Sequence, residues 1–319
     1  MKSILFAIVV SALSEAVWAA PSGGAVDGGF SFPCDGRQFT YDDRLMKIFH
    51  PLVKEPVRFT VIADAHFTLH DERDAARKDN LARLAQWPGR EADLDAAFAA
   101  ARKFGADIVP LAGDMFSFPS FANIEFLDRK MRESGLDCRY VSGNHDWHFE
   151  GLPGSDDELR ATWIRRMACL YRGEDPMAYS VVKKGVRFVF IDDTTYRITP
   201  AQLAFLRREL ATGDPVVLVM HVPFWMAPRG DTDTLANPHW GHDTDVNYVP
   251  ERRERWPKEG QPRESFELAE LAFSAPNTVA VFAGHEHALQ VAARNGIPQV
   301  IVPKNFRSGA YVNVEVSSK

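Results

Sequence analysis

The sequence predicts an α/β fold in which helices cover β-sheets. Two observations predict it. Short apolar runs bounded by turn residues read as strands over 57–63, 107–112, 139–142, 187–191, 216–220, 278–283, 299–302 and 311–316. Most are apolar nearly throughout, as strands buried on both faces must be. Helical patterns fall between them, and alternation of this kind places helices over sheets.

Asp93 to Phe104 and Phe121 to Glu133 both carry apolar residues at helical spacing. Thr199-Pro200-Ala201-Gln202 reads as a helix start: a Thr cap, Pro in the first turn, and Gln three residues after the cap. Leu203, Phe205, Leu206 and Leu210 supply its buried face. Residues 20–55 are turn-rich and polar and read as an N-terminal extension; residues 56–319 read as the main domain. The longest stretch without an element is 223–263, rich in Pro, Gly, Asp, Arg and Trp. Loops that long in compact domains are functional or disordered.

The 319 residues leave room for one large domain or two small ones. An apolar share of 45% and a charged share of 25% are ordinary for a soluble globular protein. A net charge of −6 argues against a chain built to hold nucleic acid. It leaves small phosphorylated molecules open as substrates, because bound cations add charge that the count ignores.

The first residues read as a signal peptide. Lys2 gives a positive start, and Ile4 to Leu13 is an apolar run too short to span a bilayer. Val17-Trp18-Ala19 then offers small residues to a signal peptidase, so residues 1–19 are expected to be removed and the protein to be secreted or periplasmic. No later stretch reads as a membrane span. Cys34, Cys138 and Cys169 match no zinc spacing. One pair could bridge in an oxidising compartment; buried or loosely placed thiols are the expectation.

The chemistry sits at the strand ends. The first run is followed by Asp64-Ala65-His66 and the second by Gly113-Asp114. The third runs into Gly143-Asn144-His145-Asp146, the fifth ends near His221, and the sixth ends at Gly284-His285-Glu286-His287. In open α/β sheets the carboxyl edge of the strands is where sites are built. Asp64 and His66 are two apart, as are His285 and His287. In an extended strand such pairs point to one side. Each of the three glycines allows close backbone approach beside a ligand candidate. Imidazole, carboxylate and amide oxygen together suit Zn²⁺, Mn²⁺ or iron better than Ca²⁺.

The blocks D-x-H, G-D, G-N-H-D, H and G-H-x-H, in that order, resemble the calcineurin-like metallophosphoesterases. The resemblance runs from Val57 to the C-terminus. It implies a four-layer αββα sandwich of two mixed β-sheets flanked by helices, and two metal ions. It implies that one metal takes Asp64, His66 and His287, that the other takes Asn144, His221 and His285, and that Asp114 bridges them. It gives His145 the part of acid at the scissile phosphate, with Asp146 expected to orient it. Purple acid phosphatases have Asp-x-Gly first and a metal-bound Tyr where Ser117 stands here. Protein Ser/Thr phosphatases extend the second block with Asp and Arg, where this chain has Met115-Phe116-Ser117-Phe118. The chain looks more like the branch of small-molecule phosphodiesterases.

The expected reaction is in-line attack on phosphorus by a hydroxide bridging the metals, with His145 protonating the leaving oxygen. A phosphodiesterase is the first reading, a phosphomonoesterase the second, and a metal-binding scaffold without activity the third. His145 counts against the scaffold, which needs no acid. Other residues have quieter readings. His70 and His148 are expected in solvated loops, and Asp192 and Asp193 in a turn or cap. His239 and His242, with Trp225, Trp240 and Trp256, either wall the substrate site or pin the long loop. Phe116 to Phe121 is expected to line the cleft.

Overall fold

All eight predicted strands form, and others join them. In this computed structural model the residues described are 15–19, 38–42, 44–77, 81, 88–149, 151–226, 234–240 and 260–318. The larger sheet has seven strands, in the order β1 (Glu15–Ala19), β11 (Gln290–Arg294), β12 (Ile297–Ile301), β10 (Thr278–Ala283), β9 (Val216–Val219), β8 (Val186–Ile191) and β7 (Ala178–Lys183). Its centre, β12-β10-β9-β8, is parallel; β7, β11 and β1 add antiparallel edges.

The second sheet begins β2 (Gln38–Asp42), β3 (Leu45–Phe49), β13 (Val312–Ser317) and β4 (Val57–Val61). β5 (Val109–Ala112) and β6 (Cys138–Val141) pair in parallel. Parallel bridges Phe59–Ile108 and Ile62–Leu111 attach this pair to β4. The two sheets meet face to face through Phe59, whose ring stands edge-on to Phe188 at 5.0 Å and to Phe282 at 5.3 Å.

Strand alternation sorts the core. Phe188 and Phe190 on β8 point between the sheets, while Val189 and Ile191 face outward. The five α-helices described are α1 (Glu91–Phe104), α2 (Phe121–Glu133), α3 (Asp156–Trp163), α4 (Pro200–Ala211) and α5 (Arg263–Ser274). Leu203, Leu206 and Leu210 of α4 and Leu268, Ala272 and Phe273 of α5 cover the outer face of the larger sheet. α1 covers β4 on the side away from Phe59, with the Arg58 guanidinium 5.6 Å over the Phe104 ring. α2 lies beside α1, tied by Lys130 to Asp95 at 2.8 Å. The arrangement is the four-layer αββα sandwich. The helix start at Thr199 is a complete capping box: Thr199 Oγ1 accepts from Gln202 N at 3.2 Å, and Gln202 Oε1 accepts from Thr199 N at 2.9 Å.

The extension was expected to be turn-rich, and residues 38–49 correct that expectation. β2 and β3 belong to the sheet, with β3 parallel to β13. Phe39, Tyr41, Met46 and Ile48 are buried at every second position, so a strand period is present in a segment that composition makes look like turns. Glu15–Ala19, the end of the expected signal peptide, pairs antiparallel with β11. Of the long 223–263 stretch, His242 and Trp256 fall outside the described residues, as does Cys34. Cys138 is buried and Cys169 exposed, both as free thiols. No helix of the described residues is long and apolar enough to cross a membrane.

Candidate metal centre

The carboxyl ends of β4, β5 and β6 in one sheet face those of β9 and β10 in the other. Each strand hands its chain to a short turn carrying the candidate side chains. The turns are laddered together: Asp64 N donates to Gly113 O at 3.0 Å, His66 N to Asp114 O at 3.0 Å, and Gly284 N to His221 O at 3.0 Å. Across the sheets, His285 N donates to the Asp64 carboxylate at 3.1 Å.

All seven predicted ligands come together. Asp64, His66 and His287 form one set and Asp114, His221 and His285 another, with one donor atom from each residue within 4.8 Å of the others in its set. In the first set the Nε2 atoms of His66 and His287 lie 3.1 Å apart, and His287 Nε2 is 3.5 Å from Asp64 Oδ1. In the second, Asn144 Oδ1 lies 3.1 Å from His221 Nε2 and 3.0 Å from His285 Nδ1. Asp114 Oδ2 touches both sets, 3.3 Å from His221 Nε2 and 3.8 Å from His66 Nε2. Asp64, His66, Asp114 and His221 are at most 1% exposed. Buried carboxylates and imidazoles at this density need cations to offset one another. The donor types and their convergence therefore fit a pair of borderline divalent ions.

The backbone that achieves this is not extended. Asp64, His66, Asp114, His285 and His287 all have positive φ, between 49° and 74°. Left-handed turns, not strand alternation, aim the paired side chains, which corrects the reasoning from their spacing of two. Backbone strain of this kind costs on the order of 1–3 kcal/mol per residue and concentrates at functional sites. Glycine does the rest. A Cβ on Gly143 would land on the Asp114 amide and carboxylate, and one on Gly284 would come within 2.7 Å of Asp64 Oδ2. Gly143→Ala is expected to destabilise the fold by about 1–3 kcal/mol, the usual cost of overpacking. It should also displace Asp114. A thermal melt together with metal analysis checks both effects.

Charge divides the two sets. Burial, with help from the neighbouring His145 and His287 rings, drives His66 down to about 3 against the pull of the carboxylates. Burial would lower His221 as well, but the Asp114 carboxylate overrides it and raises the imidazole to about 10. Burial opposes ionisation of Asp114 too, yet His221, His145 and His66 hold it well below the usual carboxylate range. A metal takes only neutral imidazole, so its uptake releases any proton the ligand carried. At pH 7 His66 is therefore expected to release none on loading, and His221 close to one. Affinity of the His221 set should rise with pH until about 10. Titration calorimetry in buffers of different ionisation enthalpy reads the proton count; no proton released on loading at pH 7 would contradict the raised His221.

His221 is oriented by its other nitrogen, Nδ1, 2.8 Å from the Ala112 carbonyl oxygen, which leaves Nε2 for a metal. His145 sits on the rim. Its backbone N donates to Asp114 Oδ1 at 2.9 Å, its Nε2 is 4.0 Å from Asp114 Oδ2, and its side chain is 12% exposed. The Asp146 carboxylate does not do what its sequence position suggested. Its oxygens accept from Phe116 N at 2.9 Å, Gly143 N at 2.7 Å and Tyr140 Oη at 2.8 Å. Asp146 braces the turn that carries Asn144 and His145 rather than the His145 ring. Burial, then the nearby Asp114 charge, push it up to about 8.

Other expectations change as well. Phe116 and Phe118 are core residues at 0% exposure and do not line a cleft. His148 is buried beside Trp147, while His70 is exposed as expected. Asp192 closes a turn by accepting from Thr194 N at 3.0 Å. Exposed His239 lies 5.7 Å from the Trp225 ring. Two site neighbours escaped the sequence reading. The Phe306 ring stands 5.4 Å from His66 and 5.5 Å from His287. Tyr196 Oη lies 3.3 Å from His285 Nε2, and the Trp240 ring lies 5.0 Å behind Tyr196. Neither Phe306 nor Tyr196 belongs to a motif; the one signal for Tyr196 was its place after another strand end.

Residues 57–289, which carry every ligand turn, match the family model described as calcineurin-like phosphoesterase. The chain belongs to that family. As a calcineurin-like phosphoesterase it is a metal-dependent hydrolase of phosphate esters, and the family's two metal ions correspond to the two ligand sets. No curated protein sequence matches the chain. Among solved structures it is similar to a dimetal phosphatase from Danio rerio, at 14% identity and a TM-score of 0.54, over 83% of this chain and 92% of that one. It also aligns with a purple acid phosphatase from yellow lupin, at 14% identity and a TM-score of 0.43, over 76% of this chain and 40% of that one. A third is GAP50, the anchor in the inner membrane complex of Plasmodium, at 12% identity and a TM-score of 0.45, over 78% of this chain and 71% of that one. At such identities the likeness is one of fold.

Proposed function

We propose that this calcineurin-like phosphoesterase is an exported phosphodiesterase acting on small molecules. In this reading Asp64, His66 and His287 hold one ion, Asn144, His221 and His285 hold the other, and Asp114 reaches both. Zn, Mn and Fe all suit the donors. The chemistry supplied at the loaded centre is an acidified water and neutralised phosphoryl charge. The protein's own residues do the rest. His145 carries the reading: its half-buried ring stands at the mouth of the site beside Asp114, where it can give a proton to the leaving oxygen. Asp114 fixes the His145 backbone, so ligand and acid are held in one register. Asp146, bracing the same turn, keeps that register.

A diester is favoured by the motif blocks: Ser117 stands where purple acid phosphatases have a metal-bound Tyr, and Met115-Phe116 follow Asp114 where protein Ser/Thr phosphatases add Asp and Arg. Purified protein supplied with Mn²⁺ or Zn²⁺ should hydrolyse bis(p-nitrophenyl) phosphate faster than p-nitrophenyl phosphate. Preference for the monoester overturns the diesterase reading. Two bound metals with neither compound cleaved overturns the enzyme and leaves a scaffold. Export rests on the apolar run from Ile4 to Leu13. The recovered mature chain should begin at Ala20; a chain starting at Met1 outside the cytoplasm overturns the cleavage.

A further inference from the structure

The turn after β8, Asp192 to Tyr196, belongs to none of the five ligand blocks. It nevertheless reaches both histidines of the second set, His221 at its backbone N–H and His285 at its ring. Asp193 is fully buried. Its Oδ1 accepts from His221 N at 3.2 Å, and its Oδ2 accepts from Val222 N at 3.1 Å. Tyr196 is 2% exposed. Its hydroxyl lies 3.3 Å from His285 Nε2, while the opposite nitrogen, Nδ1, lies 3.0 Å from Asn144 Oδ1. Tyr196 holds a left-handed φ of 56°, a conformation that a bulky side chain rarely adopts. Its backbone N–H is tied to Asp193 O at 2.8 Å, and Trp240 backs its ring at 5.0 Å.

We propose that the β8 turn is a positioning bracket for one metal of the pair: Asp193 fixes the backbone of His221, and Tyr196 fixes the ring of His285 so that Nδ1 faces the cation. Outer partners of this kind set a ligand's tautomer and orientation, and their loss costs 10–100-fold in metal affinity. The contacts described from this turn go to His221 and His285, which belong to one set. The bracket thus makes the two sites separately tunable. The inference rests on the ligand assignment under the proposed function.

The test uses the full-length protein, stripped by chelation and titrated with Mn²⁺. Wild type should take up two equivalents and show the electron paramagnetic resonance signal of a spin-coupled pair. Tyr196→Phe keeps the ring against Trp240 and removes only the hydroxyl. It should weaken one equivalent by 10–100-fold, leave the other within about threefold, and yield a mononuclear Mn²⁺ signal at one equivalent. Asp193→Ala, which removes the acceptors of the His221 and Val222 N–H groups, should act on the same equivalent. Weakening of both equivalents alike, or of neither, overturns the bracket. Wild-type protein that fails to bind two equivalents overturns the ligand assignment itself, and that failure is read before any variant is made. A purely structural role for Tyr196 would lower the melting temperature without separating the two equivalents.

Discussion

Asp114→Asn is expected to abolish stable loading of both metals and to lower turnover by more than about 10³-fold. The size follows from the several kcal/mol of transition-state charge stabilisation that a bound cation gives. One carboxylate serves both sets, since Asp114 Oδ2 lies 3.3 Å from His221 Nε2 and 3.8 Å from His66 Nε2. The amide keeps the shape and can still accept from His145 N, so the fold should survive. What changes is charge. Without the carboxylate the main counterweight to the burial of His221 is gone, leaving only Asp64 and the Ala112 carbonyl to favour its protonated form, so the imidazole should hold its proton less firmly. Metal analysis after dialysis and steady-state kinetics check the two parts. A variant that retained two ions through dialysis would refute the shared-ligand role.

His145→Ala should leave both metals in place and lower kcat by about 10²–10⁴, the range for loss of a general acid. His145 contacts the site through its backbone N–H to Asp114, which alanine preserves. The ring, whose Nε2 is 4.0 Å from Asp114 Oδ2, is the part removed. The loss should grow as the leaving group becomes more basic, because a good leaving group departs without a proton. The measurement is kcat across a series of aryl and alkyl phosphodiesters. A uniform loss across the series would assign His145 to binding instead of proton transfer.

Much of the site was legible because its residues stand at strand ends in one fixed order. The apolar runs placed β4, β5, β6, β9 and β10, and the seven candidate ligands stand in the turns after them. The means of convergence was not legible. A spacing of two suggests an extended pair, but Asp64 and His66 have φ values of 54° and 49°, which only the three-dimensional ladder to Gly113 and Asp114 enforces. Asp146 misled for a related reason. Adjacency to His145 suggested contact, whereas the tight turn sends its carboxylate inward to Phe116, Gly143 and Tyr140. Phe306 reaches the site by tertiary packing alone, and Tyr196 has only its place after the end of β8 to announce it. β2 and β3 escaped because polar turn composition masked the alternation of Phe39, Tyr41, Met46 and Ile48.

The hydrogen bond from His285 N to the Asp64 carboxylate joins positions 221 residues apart. Each metal set joins residues from the β4–β6 part of the chain to residues that follow β9 or β10: Asp64 and His66 with His287, and Asp114 and Asn144 with His221 and His285. No segment emerging early in synthesis carries a complete set. Closing loops of that length comes late in folding, because their entropy cost precedes any reward. Metal therefore enters a finished sandwich. The ion this protein carries is then set by what is available once the two sheets have met.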